Sequence, residues 1–122
     1  MNPKLHFLSP ILQTKNIEQT ISFYESVLGF KKKTQLPNFV SLTRDHVEIM
    51  FIQPAEEPKE LKLTGDIYIF TEKVDELWDF LKEKTKRKTS IADRVYLMRD
   101  FSILDNNGYE LVFGEDISSK NK

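Results

Sequence analysis

Few side chains in this sequence can do chemistry, and their types narrow what that chemistry could be. Among 122 residues there is no cysteine, which removes thiolate nucleophiles, thiolate zinc sites, iron–sulfur clusters and disulfides together. Only two histidines are present, His6 and His46. His6 lies near the start of the chain and is expected at the surface; His46 opens a strand-like run after the turn-forming pair Arg44-Asp45, a rim position. That leaves carboxylates and aromatic rings. Nineteen acids are spread along the chain, some in strand-like runs that also carry rings, as in HVEIMFI (46–52) and LTGDIYIF (63–70). Two carboxylates with waters suit a hard ion such as Mg²⁺. Among aromatic walls they suit a cationic or hydrogen-bond-donating organic ligand.

The bulk properties exclude several partner classes. Eighteen basic residues against nineteen acidic ones leave a net charge of −1, so no global field draws in nucleic acid. The basic clusters Lys31-Lys32-Lys33 and Lys82 to Lys88 read as solvated surface. The opening stretch 1–12 is short and broken at Ser9-Pro10, which fits neither a signal peptide nor a membrane span. A cytoplasmic location is expected, and the absence of cysteine suits that compartment. A chain of this size forms one domain (1–122), burying about two-thirds of its unfolded surface without covalent staples.

The elements that must position the acids follow from periodicity. A first strand is expected over 7–14, with Pro10 marking an edge or bulge because it cannot donate to a ladder. Asn16 with Gln19 three residues on forms a capping-box signature. Behind it Ile17, Ile21, Tyr24 and Leu28 make an apolar stripe that Gly29 ends. Strands are expected over 30–35, 39–43 and 46–52, with turns at Leu36-Pro37-Asn38 and Arg44-Asp45. A polar connector (54–62) follows, and the order begins again: strand 63–70, helix 72–84 with Val74, Leu77, Trp78 and Leu81 on one face, then strands 89–92, 96–104 and 109–113. Asn106-Asn107-Gly108 is a hairpin turn, since these residues accept positive φ cheaply. The halves, about 5–53 and 63–115, overlay at an offset of 57 residues. Thr14 then falls on Thr71, Ile17 on Val74 and Phe23 on Phe80. The tail 116–122 is expected to fray. The fold class is α+β, a repeated βαβββ unit.

The residues that carry this pattern also carry a resemblance. KNIEQTISFYESVLGFK (15–31), VDELWDFLKE (74–83) and YLMRDFSILDNNGYELVFGE (96–115) resemble the two helices and the closing hairpin of the glyoxalase/bleomycin-resistance/dioxygenase superfamily, also called vicinal oxygen chelate proteins. The resemblance spans nearly the whole chain in the right order. It implies two βαβββ modules whose mixed sheets form a cup around a small-molecule site, commonly completed by a homodimer. It does not imply a reaction, because the fold serves both enzymes and non-catalytic drug-sequestering proteins.

Superfamily enzymes hold a divalent metal at positions that the resemblance carries onto Ser9, Glu48, Asp66 and Val112, with Ser9 mirroring Asp66 and Glu48 mirroring Val112. Valine cannot ligate, serine seldom does, and no imidazole is among the four, which argues against an Fe, Ni or Zn centre. No cofactor is therefore expected; a metal held through Glu48 and Asp66 is the alternative. Strand alternation adds Met50, Tyr68 and Phe70 to the expected cup wall, with Ser102 opposite and Phe39 and Tyr96 as lids. Leu8 and Trp78 are assigned to the helix-side core, and Arg99 to an ion pair with Asp105. The leading expectation is a metal-independent binding protein of the bleomycin-resistance type, sequestering or sensing an aromatic or cationic ligand, with no membrane or nucleic-acid partner. The alternatives are a metal-dependent lyase, isomerase or dioxygenase-like enzyme and a non-catalytic dimeric scaffold.

Overall fold

The computed structural model describes residues 2–121 and divides the chain into two compact units, the first ending at Lys59 and the second beginning at Glu60. The boundary falls inside the expected polar connector, where no helix or strand forms between Ile52 and Ile67.

The first unit runs β1 (Ile11–Gln13), α1 (Ile17–Ser26), β2 (Lys31–Leu36), β3 (Phe39–Arg44) and β4 (Val47–Ile52). Its strands form one mixed sheet in the order β1-β4-β3-β2, with β1 parallel to β4 and the other pairs antiparallel. The Asn16 side chain accepts from the Gln19 amide at 2.9 Å, closing one orphan donor of the first helical turn. Gly29 takes φ +73° where the chain leaves the helix. The stripe of α1 buries Ile17, Ile21 and Tyr24 against Val40, Leu42, Ile49 and Phe51. The Tyr24 ring stands edge-on to both Phe30 and Phe51 at 5.3 Å, a favourable geometry for aromatic quadrupoles.

The second unit repeats the plan with β5 (Ile67–Phe70), α2 (Val74–Leu81), β6 (Lys86–Asp93), β7 (Met98–Leu104) and β8 (Glu110–Asp116), followed by a single 3-10 turn at Ser118–Asn121. Its sheet order is β5-β8-β7-β6, again with the first and last strands of the unit parallel. Val74 and Leu81 are buried beside Phe101, Ile103, Leu111 and Phe113. Trp78 packs its ring on Phe101 at 5.2 Å, in the helix-side core as the sequence indicates.

Both helices begin on the same device. In the first unit the Ile17 amide donates to Gln53 Oε1 at 2.9 Å; in the second, the Val74 amide donates to Glu115 Oε1 at 3.1 Å. In each case a residue just beyond or near the end of the unit's last strand caps the helix. The repeat is thus structural as well as sequential.

Several boundaries differ from the sequence expectation for identifiable reasons. β1 begins at Ile11 rather than Phe7, because Pro10 offers no amide; its carbonyl still accepts from Met50 at 3.0 Å. Leu8, assigned to the helix-side core, is 86% exposed. β5 begins at Ile67 rather than Leu63, after Gly65 at φ +117°. Lys73, in the left-handed region at φ +53°, starts α2 at Val74, two residues later than expected, and the helix ends at Leu81 rather than 84. β8 runs on to Asp116, and the tail continues in the 3-10 turn Ser118–Asn121; Lys122, the last residue of the tail expected to fray, lies outside the described residues. Among the described residues no helix is long and apolar enough to cross a membrane.

Candidate functional site

The sheet face away from the helix carries the candidate site in each unit, and alternation along the strands decides which side chains reach it. On β7, Phe101 and Ile103 go to the core while Asp100 and Ser102 take the other face. On β8, Leu111 and Phe113 go inward, leaving Glu110, Val112 and Gly114 opposite. On β5, Tyr68 lies across from Val112.

At the centre of the second unit's face is Asp100, only 3% exposed. Its Oδ2 accepts from the Tyr68 hydroxyl at 2.7 Å and from the Tyr96 hydroxyl at 2.6 Å. Its Oδ1 accepts from Arg94 Nε at 2.8 Å. Arg94 Nη2 also donates to the Ser90 carbonyl at 2.8 Å, which fixes the guanidinium to the β6 backbone. Burial pushes the Asp100 carboxyl up, but the hydrogen bonds from Tyr96, Arg94 and Tyr68 outweigh it and hold the group below its ordinary value,. The reciprocal effect raises both phenols. For Tyr68 burial is the larger cause and the Asp100 hydrogen bond the next; for Tyr96 the Asp100 hydrogen bond leads. Both tyrosines therefore stay protonated donors in the neutral range.

Gly114 makes this arrangement possible. A methyl group there would collide with the Tyr68 hydroxyl and ring, so glycine lets the phenol lie across β8 to reach Asp100.

Around this cluster opens a cleft of about 440 Å³, lined by Asp66, Tyr68, Thr89, Arg94, Tyr96, Asp100, Ser102, Glu110 and Val112. Its polarity is one-sided. The tyrosine hydroxyls and Arg94 Nε point at Asp100, and Thr89 and Ser102 share a hydrogen bond at 3.0 Å. Asp66 is exposed, with no hydrogen bond or ion pair among the described residues, and Glu110 meets only the half-exposed Lys88, at 3.6 Å. The cleft thus presents acceptors and rings to whatever enters it.

Of the residues singled out from sequence, Asp66, Tyr68, Tyr96, Ser102 and Val112 line this one cleft. Phe70 stands beside it, 72% exposed, with its ring 5.1 Å from that of Tyr68. Ser9, Glu48 and Met50 share the corresponding face of the first unit. There Ser9 Oγ donates to the Glu48 carbonyl at 3.1 Å, the Ser41 hydroxyl donates to the Glu48 carboxylate, and Lys33 Nζ lies 3.7 Å from it. Phe39, opposite Ile52 at the start of β3, is half-buried.

Two sequence assignments are corrected. The register that sets Ile11 opposite Met50 sets Tyr68 opposite Val112; Val112 therefore mirrors Met50, and Glu48 mirrors Glu110. The first and last strands are offset differently because the β6–β7 hairpin is longer than its counterpart. Arg99 pairs with Asp75 at 2.8 Å and Asp93 at 3.0 Å rather than with Asp105, since it faces the α2 side of β7. Asp105 instead accepts from the amides of Asn107 and Tyr109, bracing the hairpin turn. Asp100, Arg94, Glu110, Thr89 and Gly114 went unrecognised in the sequence. Parity with Ser102 and Val112 marks Asp100, Glu110 and Gly114 as sharing their face; Arg94, in a turn, carries no such signal.

The described residues do not fit a metal of the enzymatic kind. No group of three or more His, Cys, Asp or Glu side chains gathers in them, and the Glu48 carboxylate is engaged by Ser41 and Lys33.

Comparison with known proteins agrees with this architecture. No curated protein matches the chain. Among solved structures, a bleomycin-binding protein from Streptomyces verticillus, complexed with copper(II)-bleomycin, is similar at 16% identity. The match covers 92% of this chain and 97% of that one, with a TM-score of 0.73. A glyoxalase/bleomycin resistance protein/dioxygenase from Nocardioides is similar at 15% identity, covering 97% and 87%, TM-score 0.73. A protein of unknown function from Agrobacterium tumefaciens is similar at 18% identity, covering 93% and 96%, TM-score 0.77. At these identities the likeness is one of fold. The superfamily's own sequence pattern matches residues 5–113. With the two βαβββ units, their parallel first and last strands and this match over most of its length, the chain belongs to the Glyoxalase/Bleomycin resistance protein/Dioxygenase superfamily.

Proposed function

We propose that this protein is a metal-independent binding protein that sequesters or senses an aromatic cation, held in the cleft of the second unit. The observation that carries the reading is the one-sided polarity of that cleft. Its tyrosine hydroxyls and Arg94 Nε are spent on Asp100, while Asp66 and Glu110 offer carboxylate oxygens beside the Tyr68 and Tyr96 rings. A cation with N–H donors gains charge-assisted hydrogen bonds there and a ring face against which to rest. An anion meets two carboxylates. The copper(II)-bleomycin complex of the Streptomyces verticillus protein is a precedent for ligand binding on this fold.

A thermal-shift comparison of benzamidine with benzoate, isosteric but of opposite charge, tests the reading. Benzamidine at ten times its Kd should stabilise by about 1.4 kcal/mol through mass action, and benzoate should not. Replacing both Asp66→Asn and Glu110→Gln should weaken benzamidine roughly tenfold, the equivalent of ~1.4 kcal/mol. An equal response to benzoate would sink the cationic reading.

We also propose a homodimer in the cytoplasm. Ile11, Ile52 and Phe70 are 59%, 42% and 72% exposed on the faces away from the helices, apolar surface of the sort that a partner covers. A concentration-independent monomer mass in light scattering would refute the dimer. Fractionation into a membrane or secreted pool would refute the location.

A further inference from the structure

Of the two phenols bound to Asp100, one is locked and one is not. Tyr68 belongs to β5 and its ring lies on Gly114 inside the parallel pair β5–β8. Tyr96 sits in the turn between β6 and β7 and is 57% exposed, beside Val95 at 99% and Leu97 at 49%. Backbone bonds close the turn beneath it: the Arg94 amide donates to the Met98 carbonyl at 2.7 Å, and the Leu97 amide to the Arg94 carbonyl at 3.1 Å. The Tyr96 side chain can therefore swing away without opening the turn. Arg94 remains on Oδ1, held also by Ser90. What a swing uncovers is Oδ2 of a nearly buried carboxylate, in the wall of the cleft, with Tyr68 as its one remaining donor.

We propose that Tyr96 is a displaceable gate and that Oδ2 of Asp100 is the recognition subsite behind it, taking an amidinium or guanidinium N–H in place of the tyrosine hydroxyl. This inference rests on the cationic-ligand reading above. It explains how the site selects. A ligand without an N–H leaves the buried oxygen short of a donor once the phenol departs, and that penalty keeps the gate shut. A planar N–H fork replaces the lost bond and keeps a second donor for Asp66 or Glu110, the other carboxylates lining the cleft,.

An ordinary lid is shielded when its ligand binds, whereas a displaced gate is exposed. Tyrosine nitration by tetranitromethane, read by peptide mass spectrometry, separates the two. Tyr96 should nitrate slowly in the free protein despite its exposure, because Asp100 holds its proton. Saturating benzamidine should speed the reaction at least threefold. Tyr96→Phe, a change at an exposed turn, should bind benzamidine three- to tenfold more tightly in calorimetry, because nothing then competes for Oδ2. If benzamidine stabilises the protein but shields Tyr96, or if Tyr96→Phe weakens binding, the gate is overturned while the cationic reading stands. If benzamidine moves neither melting temperature nor nitration, both fail together.

Discussion

The two units use one backbone plan to build unlike surfaces on the sheet face opposite the helix. Position by position, Ile11 corresponds to Tyr68, Phe39 to Asp100, Ser41 to Ser102, Glu48 to Glu110, Met50 to Val112 and Ile52 to Gly114. In the first unit the carboxylate is consumed: Ser41 donates to Glu48, and Lys33 neutralises it. In the second, Glu110 likewise has a lysine, Lys88 at 3.6 Å, but Ser102 turns to Thr89 instead, so the Glu110 carboxylate lacks the serine donor and lines the cleft. The exchange of Phe39 and Ile52 for Asp100 and Gly114 matters most. It replaces apolar bulk with a charge and a gap, and Tyr68 fills the gap to satisfy the charge. In the proposed function, binding therefore tracks which face retains acceptors rather than which strands are present.

Removing the centre of the polar face should have the largest effect. Asp100→Ala leaves the Tyr68 and Tyr96 hydroxyls and Arg94 Nε without their acceptor and should cost about 3 kcal/mol,. Phe39→Ala, at the mirrored and half-exposed position, should cost about 1 kcal/mol or less. Urea denaturation decides between them, with Trp78, the sole tryptophan, reporting the second unit through its contact with Phe101,. Equal losses would mean that the two faces are energetically alike.

Next comes Gly114→Ala, which forces the Tyr68 ring off Asp100 and should cost about 2 kcal/mol through overpacking. Ile52→Ala, which trims a side chain already 42% exposed, should cost under about 1 kcal/mol. A crystal structure of the Gly114→Ala protein with Tyr68 unmoved would remove the proposed role of the glycine.

The carboxylates give a smaller contrast. Glu48→Gln should destabilise by about 1 kcal/mol, since its side chain is 12% exposed and bonded to Ser41,. Glu110→Gln should change stability by less than about 0.5 kcal/mol, because its pair with Lys88 is solvated,. If the second change proved the costlier, Glu110 would be a structural residue rather than an acceptor for the cleft.

The pH profile sharpens the comparison last. Asp100 is held below its ordinary 3.8, so its contribution is complete above that value and is lost as pH falls through the lower folded-state one,. Tyr68 and Tyr96 are raised above 10.0, so their contribution is complete below pH 10 and is lost as pH rises through their folded-state values,. Stability reported by Trp78 should decline in both windows. Asp100→Asn should flatten both declines, and a profile unchanged by that substitution would detach the cluster from the unit's stability.

Much of this was legible in the chain itself, because it depends on local rules. The Asn16 cap, the stripes of both helices, the turns at Asn38, Asp45 and Gly108, and the alternation that separates Tyr68 from Ile69 follow from period, capping and φ preferences over a few residues. The repeated order of elements carried the fold class. Tyr96 joins the cleft from the β6–β7 turn, whereas Asp66, Tyr68, Ser102 and Val112 line it because strand parity is a sequence property. The register between β5, β7 and β8 is not. Hairpin length and bulges set it, and it alone decided that Glu48 answers to Glu110, that Asp100 meets two phenols and that Gly114 underlies Tyr68. Arg94 reaches Asp100 from a turn, and Arg99 pairs across α2 with Asp75, by contacts that no periodicity encodes. Charge and ring types were written in the chain; which acceptors stay unpaired was decided by the packing that brings distant donors to them.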